Sequence, residues 1–173
     1  ILQNGVLKTV KPDVNMHFPE HMVSLEKWIP EKPISAIYFN GAKDRYFIKR
    51  FTAGSQNTDQ KFIPDGSKVQ LEMISTEWKP VIEITFSKSG KNIRDNEIKH
   101  IEEIISVKGI KAIGNQLSSY KIKNIDQLEP LEYTPREKLS LNELEVESEE
   151  ISKNDFEIES NNKSRDGQTE LEF

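Results

Sequence analysis

Short runs of apolar and polar residues alternate along the first three quarters of the chain, with turn residues between them. Residues 34–39 and 45–51 are rich in β-branched and aromatic side chains and flank a Gly-containing loop, which predicts a β-hairpin. Residues 69–75 and 81–86 also alternate, and Lys79-Pro80 marks a turn before the second run. Both runs are predicted to be strands with one polar face.

Three further segments have weaker strand patterns. Residues 6–10 are extended after Asn4-Gly5, a turn signal typical of hairpins, so we expect a strand before Ile1 in a longer protein. Residues 97–105 fit both a helical stripe and strand alternation, and their β-branched residues favour a strand. Residues 107–117 are predicted to continue in extended form, with glycines that suit bulges.

Seven or eight short strands without a long helix are typical of a sandwich, a barrel or a propeller. Two pairs of similar segments favour an internal repeat. Lys8 and Lys49 have similar contexts 41 residues apart, and the apolar run at 37–39 recurs at 84–86, 47 residues on. Such periods match one propeller blade. We therefore predict an all-β fold for residues 1–129, a partial, pinwheel-like β-propeller of about three four-stranded blades.

Charge separates these residues from the rest of the chain. Residues 1–129 hold 19 Lys and Arg against 16 Asp and Glu, a net charge of +3, whereas residues 130–173 hold 5 against 13, a net charge of −8. Only 11 of these last 44 residues are apolar, too few to offset the entropy of ordering. We predict a disordered acidic tail at 130–173, either solubilising or regulatory, in which residues 139–151 become helix or strand on a partner.

Composition excludes several classes of protein. No run is long or apolar enough for a membrane span or a signal peptide. The absence of cysteine excludes disulfides and thiolate chemistry and favours a cytoplasmic setting. His17 and His21 have the spacing of two ligands on a helix, but Pro19 opposes a helix there and no third ligand is evident, so we expect no metal site. No nucleophile or phosphate-loop motif occurs, and we expect no catalytic residue.

Three segments resemble a known family: residues 46–51, residues 81–91 with their basic turn, and above all residues 105–117, Ile-Ser-Val-Lys-Gly-Ile-Lys-Ala-Ile-Gly-Asn-Gln-Leu. They are similar to the C-terminal domain of the DNA-cleaving subunit of bacterial type IIA DNA topoisomerases, the group of DNA gyrase and topoisomerase IV. The resemblance covers residues 1–129, and an acidic tail is familiar in that group. Arg45-Tyr46 is also a dipeptide of topoisomerase catalytic sites, but here it starts a hairpin strand without the rest of that motif.

The resemblance implies a pinwheel whose basic rim binds or bends duplex DNA and presents it to a catalytic core for ATP-dependent strand passage. The catalytic tyrosine, ATP and Mg²⁺ belong to other domains or to the ATPase subunit, so no cofactor is implied for this chain. The implied partners are double-stranded DNA and, through regions outside this chain, the ATPase subunit and a second copy of the DNA-cleaving one. The expected location is the cytoplasm, at the nucleoid, with no membrane contact.

The basic residues fall mainly at strand ends and turns, where a propeller can gather them along one rim. The resemblance matches Lys49 and Arg50 to a Gly-x-x-Lys-Arg-like blade motif, and Lys108 and Lys111 to a Lys-Gly-x-Lys-Ala segment. Lys8 matches less well because Thr9 replaces a second basic residue. The DNA-binding residues that we predict are Lys8, Lys43, Arg45, Lys49, Arg50, Lys88, Lys91, Arg94, Lys108, Lys111, Lys121 and Lys123.

The sequence departs from the family in two respects, which bear on the predicted function and on the number of blades. The Gly- and Arg-rich heptapeptide with which gyrase wraps DNA is absent, which favours a topoisomerase IV-like role in relaxation and decatenation. About three blades are also fewer than a closed propeller needs. The alternative function is a β-propeller-like protein-interaction module with a solubilising acidic tail. That alternative predicts an exposed apolar patch in place of a basic stripe.

Overall fold

The computed structural model describes residues 1–55, 57–88 and 94–133. Most of the predicted acidic tail, from residue 134 onwards, lies outside the described residues. All the elements belong to one compact unit, Ile1–Glu132. These elements are the strands β1 (Val6–Leu7), β2 (Pro33–Asn40), β3 (Arg45–Thr52), β4 (Gln60–Lys61), β5 (Val69–Ser75), β6 (Val81–Phe86), β7 (Glu97–His100), β8 (Asn115–Gln116) and β9 (Ile122–Leu128), and the helix α1 (Ile101–Ile104).

The strands form three antiparallel sheets. The first contains β1 and β4, the second has the order β5-β2-β3-β8, and the third has the order β7-β6-β9. The all-β prediction is confirmed, and within the described ranges the sheets do not close into a barrel. The described residues contain one four-stranded sheet, however, in place of the predicted three.

Both faces of the four-stranded sheet are covered, which explains the nearly continuous apolar sequences of β2 and β3. Tyr38 and Phe51 point into one core cluster, together with Leu7 from β1. Ile37 and Ile48 point into a second cluster, which also holds three of the four apolar residues of β6. The four-stranded sheet is therefore the middle of three layers.

The chain interleaves these layers. The connection between β3 and β5 contains β4, which pairs with β1 instead of with its flanking strands. The connection between β7 and β9 likewise contains β8, which pairs with β3. Each long connection thus adds one strand to the edge of another sheet and then returns.

The predicted hairpin and the strands at 69–75 and 81–86 are confirmed as β2, β3, β5 and β6. The Asn4-Gly5 turn is confirmed by hydrogen bonds between Leu2 and Val6 and between Gly5 and Leu2, of 2.8 and 3.0 Å. The segment 97–105 is only half strand, because the chain turns into α1 after His100 and buries Ile101. Within 107–117 only the two residues of β8 pair as a strand.

Candidate nucleic-acid interface

Lys49, a predicted DNA-binding residue, lies inside the protein. Its residue is only 2% exposed, and its ammonium group donates to the carbonyl oxygens of Ile110 and Ala112, at 2.7 and 2.6 Å, and of Phe62. Burial lowers the pKa of Lys49 to about 8, so the group stays mainly protonated at neutral pH. A phosphate has no access to this ammonium group, and we correct the prediction that Lys49 contacts DNA.

We also correct the prediction that Arg50 contacts DNA. It points to the opposite face of β3, is 8% exposed, and donates from Nη2 to the carbonyl oxygen of Trp78. Burial lowers the pKa of Arg50, and the nearby Glu102 carboxylate acts in the opposite direction. Its guanidinium group therefore links the four-stranded sheet to the chain that enters β6, and it is not available to a nucleic acid.

A segment that we call the strap, residues 106–123, lies along the outer edge of β3. The amide of Lys108 donates to the carbonyl of Arg50 at 2.8 Å, and the amide of Leu117 donates to the carbonyl of Tyr46 at 2.9 Å. Between these points the hydroxyl of Tyr38 donates to the carbonyl of Ile113 at 2.8 Å. The backbone of the strap is thus fixed to the sheet over most of the length of β3.

The strap approaches β3 most closely at Gly114. Its φ is +93°, a conformation that favours glycine, and a Cβ placed on it would lie 2.2 Å from the carbonyl oxygen of Ile48. A glycine at this point is what allows the backbone of the strap to approach β3 and to pair as β8.

The side chains of the strap give it a strong local charge. Residues 106–123 contain four lysines and no aspartate or glutamate. Within the described ranges these lysines are exposed and take part in no ion pair. They are Lys108, Lys111, Lys121 and Lys123.

Further basic residues lie at the end of the sheets where the strap passes from the four-stranded sheet to the three-stranded sheet. The strap leaves the four-stranded sheet at Leu117 and reaches the three-stranded sheet at Lys121, whose carbonyl accepts the amide of Ser87 at 2.8 Å. Four residues span at most about 14 Å. The β2–β3 turn and the end of β6 therefore bring Lys43, Arg45, Lys88 and Arg94 to the end that also carries Lys121 and Lys123.

Several predicted residues have intramolecular partners. The Arg94 guanidinium stacks 3.9 Å from the Tyr120 ring centroid and donates from Nε to Glu97 at 3.0 Å. Arg45 lies 4.0 Å from the Asp44 carboxylate, and the Lys43 ammonium lies 5.2 Å from the Phe47 ring centroid.

Two predicted residues do not join this group. Lys8 pairs with Asp59 at 3.6 Å and belongs to the layer of β1. Lys91 lies outside the described residues. Within the described part of the chain the four strap lysines take part in no ion pair, and they form the candidate interface.

The sequence matches the protein family described as "topoisomerase C-terminal domain, Bacteroidota" over residues 1–129. The chain belongs to this family. The match includes every strand and the whole strap, and it confirms the topoisomerase C-terminal domain part of the resemblance. No curated protein matches the sequence significantly, and neither does any solved structure.

This topoisomerase C-terminal domain also has an apolar groove that the sequence patterns did not predict. The groove measures about 1320 Å³ and is lined largely by residues 7–32, including Phe18, Leu25 and Trp28. Leu25 is 58% exposed and Trp28 is 40% exposed. Residues 11–32 have no strand periodicity, and their clustered aromatic and aliphatic residues were the only signal for this surface.

Among residues 1–55, 57–88 and 94–133, no group of three or more His, Asp or Glu side chains is arranged to hold a metal ion. Over the same ranges, no helix has the length and hydrophobicity to cross a membrane.

Proposed function

We propose that this topoisomerase C-terminal domain binds duplex DNA through the phosphate backbone. The observation that carries the proposal is the strap, which presents four exposed lysines without an acidic residue or an ion pair among the described residues. Lysines held on a fixed backbone neutralise phosphates and release counterions, which is the main source of non-specific DNA affinity.

The dimensions of the strap suit a duplex. Its contacts with β3 run from Arg50 to Tyr46, a separation of four positions, or about 14 Å at the rise of a β-strand. About four base pairs of a duplex span the same length. In the described ranges the one helix, α1, has four residues and is too short to read a major groove. Contact with phosphates, without base recognition, therefore fits the geometry best.

In this proposal the domain belongs to the DNA-cleaving subunit of a type IIA topoisomerase and presents DNA to the catalytic core for ATP-dependent strand passage. The interleaved layers support a partial propeller, since β4 and β8 each join a sheet other than that of their flanking strands. The absent heptapeptide supports a topoisomerase IV-like role in relaxation and decatenation. The ATPase subunit, a second DNA-cleaving one, ATP and Mg²⁺ act through other parts of the enzyme, in the cytoplasm at the nucleoid.

Fluorescence anisotropy of a labelled duplex of about 40 base pairs tests the proposal. The chain of 173 residues is titrated at several salt concentrations. If the four strap lysines each neutralise one phosphate, the slope of log affinity against log salt is about −3.6, and the dissociation constant is roughly 10⁻⁴ to 10⁻⁶ M at physiological salt.

A matched pair of variants separates the effect of the strap lysines on DNA binding from the effect of net charge. The strap variant carries Lys108→Gln, Lys111→Gln and Lys121→Gln. The control carries Lys11→Gln, Lys27→Gln and Lys68→Gln, which are also exposed lysines without ion pairs in the described ranges. We expect the strap variant to lose about 2.7 units of slope and the control to retain most of it. Equal losses in both variants would overturn the proposed interface.

The acidic tail, residues 130–173, has a regulatory role in this proposal. We propose that its acidic residues compete with DNA for the strap, because tethering raises their effective concentration into the millimolar range. Replacing Glu143, Glu145, Glu147, Glu149 and Glu150 by glutamine is then expected to tighten DNA binding. Unchanged affinity in this variant would remove the tail from the mechanism.

The apolar groove favours a second candidate function, a protein-interaction module. Its volume of about 1320 Å³ and the exposure of Leu25 and Trp28 match the patch that this alternative requires. If this is the main function, DNA affinity is absent at low salt in every variant. A Leu25→Asp substitution would then weaken binding of the protein partner and leave the strap unaffected.

A further inference from the structure

Exposed apolar side chains lie among the lysines of the strap. Val107, Ile113 and Tyr120 are 47%, 58% and 53% exposed. Each of them has a strap lysine within two residues along the sequence. Single exposed apolar residues are common on protein surfaces, but these three lie together in the short segment that we propose as the DNA interface. The strap therefore offers apolar contacts in addition to charge.

The backbone around Ile113 is fixed to the four-stranded sheet at three successive residues. The carbonyl of Ala112 accepts a hydrogen bond from the ammonium group of Lys49 at 2.6 Å, and the carbonyl of Ile113 accepts one from the hydroxyl of Tyr38 at 2.8 Å. Gly114 approaches β3 too closely to accommodate a Cβ. A residue held in this way loses little conformational freedom when its side chain enters a ligand.

The other two apolar side chains are less suited to enter a ligand. The ring of Tyr120 already packs against Arg94, whose guanidinium carbon lies 3.9 Å from the ring centroid, and against the ring of Phe86 at 6.0 Å. Val107 has a smaller side chain than Ile113 and is less exposed. Ile113 is therefore the best placed of the three to contact DNA.

Exposed and partly buried residues alternate around Ile113. Lys111, Ile113 and Asn115 are exposed, whereas residues 110, 112 and 114 are partly buried. The strap thus presents a cation, an aliphatic side chain and an amide in succession. Proteins that bind the minor groove of DNA combine these three types of group, because lysine and asparagine contact the groove and an aliphatic side chain inserts between base pairs.

We infer that Ile113 inserts between two base pairs from the minor groove and kinks the duplex. The strap lysines contact the phosphates that border the groove, so the inference rests on the proposed function and adds a specificity-determining residue to it. The minor groove of B-DNA is about 6 Å wide. Insertion widens it and bends the duplex toward the major groove by about 20° to 90°. The bend is thus directed away from the strap.

An inserted isoleucine gives the domain a preference for deformable DNA. Pyrimidine–purine steps such as TA are the easiest to kink and unstack. Contacts with phosphates alone do not distinguish such sequences from others. A domain that inserts Ile113 therefore favours duplexes with TA steps without reading any base edge, whereas a domain that binds only through lysines does not.

Resonance energy transfer between dyes at the two ends of a duplex measures the bend. The duplex has about 20 base pairs and a central TA step, and the chain of 173 residues is added to saturation at low salt. We expect the wild type to bend this duplex by at least about 20°. We expect Ile113→Ala to lose the bend and the preference for TA-containing over G·C duplexes, and Ile113→Leu to retain most of both. Neither substitution removes a charge, so the salt slope is expected to stay the same.

Ile98→Ala is the matched control. Ile98 is 62% exposed, close to the exposure of Ile113, but it lies outside the strap on β7, where it pairs with Glu83 of β6. The same change of side chain at this position is expected to leave the bend and the TA preference at their wild-type values. Ile113→Ala keeps the hydrogen bond from Tyr38, because a backbone carbonyl accepts it, so the strap stays attached to the sheet.

Bending and salt dependence separate this inference from the proposed function. Equal bending by the wild type and Ile113→Ala would overturn the inference, and so would binding of the wild type without a bend or an equal loss of bending in Ile98→Ala. In each of these cases a salt slope that falls in the strap variant would still support DNA binding through the lysines. If the wild type does not bind DNA at low salt, both the inference and the proposed function are wrong.

Discussion

The ammonium group of Lys49 donates a hydrogen bond to the carbonyl oxygen of Ala112, 2.6 Å away and 63 residues later in the chain. The same group holds the carbonyl of Ile110 at 2.7 Å. A buried lysine of β3 therefore fixes the backbone of the strap, whose own lysines remain exposed. Lysines in this domain have two distinct structural settings, one inside the fold and one at its surface.

We expect Lys49→Met to lower the free energy of unfolding by about 3 kcal/mol. It leaves buried carbonyl oxygens without a donor, and each such loss costs about 1 to 3 kcal/mol. Lys8→Met is the matched control, because Lys8 follows Leu7 as Lys49 follows Ile48 but its side chain is 48% exposed. We expect the control to change stability by less than about 0.5 kcal/mol in urea unfolding followed by circular dichroism. Similar losses in both variants would contradict a special role for Lys49.

The stability contributed by Lys49 depends on pH. Burial lowers its pKa from 10.5 to about 8. Between these values the folded state has released a proton that the unfolded state keeps, so a rise in pH stabilises the folded state through this group. We expect the difference in unfolding free energy between the wild type and Lys49→Met to be constant from about pH 6 to 7 and to grow from about pH 8 to 10.5. A difference that shrinks over the upper range would show the opposite shift.

Gly114 provides a stability test for the strap. A Cβ at this position would lie 2.2 Å from the carbonyl oxygen of Ile48, and its φ of +93° is strained for alanine. We expect Gly114→Ala to cost more than about 2 kcal/mol in thermal or urea unfolding. Gly109→Ala is the control, because nothing lies within 4 Å of its added Cβ, and we expect it to change stability by at most about 0.5 kcal/mol. Comparable costs would mean that the close approach at Gly114 is not required.

The sequence predicted the strands that have long apolar or alternating runs. β2, β3, β5 and β6 have six to eight residues each, long enough for periodicity to be visible. β4 and β8 have two residues each, and their pairing depends on acceptor strands more than 50 residues away. β9 is mostly exposed and polar, so it lacks the apolar pattern of a core strand. The local sequence pattern therefore predicts the hairpins, but it does not predict which sheets β4 and β8 join.

The candidate interface was predictable to a similar extent. Lys108, Lys111, Lys121 and Lys123 are exposed as the basic rim requires. Lys49 and Arg50 have the same sequence signature, but three carbonyl oxygens from distant segments surround the first and the Trp78 carbonyl binds the second. Nothing within β3 distinguishes a buried lysine from an exposed one. Charge reversal at these two positions would therefore report on folding instead of on DNA binding.

Lys121 and Arg94 lie at the same end of the sheets and allow a final test of the interface. Lys121 has no ion-pair partner among the described residues, whereas Arg94 is held by Glu97 and stacks on Tyr120. A lysine that neutralises a phosphate contributes about 0.9 to the salt slope. We expect Lys121→Gln to lower the magnitude of the slope by about that amount.

For Arg94→Gln we expect less than half of this change in the same anisotropy titration, because its charge is already compensated and Lys99 remains 3.0 Å from Glu97. Both substitutions remove one positive charge, so a purely long-range effect of net charge predicts equal slopes. Equal slopes would show that local pairing does not decide which basic residues contact DNA. A larger decrease in the salt slope for Arg94→Gln than for Lys121→Gln would indicate that the DNA contacts the stacked guanidinium group instead of the strap.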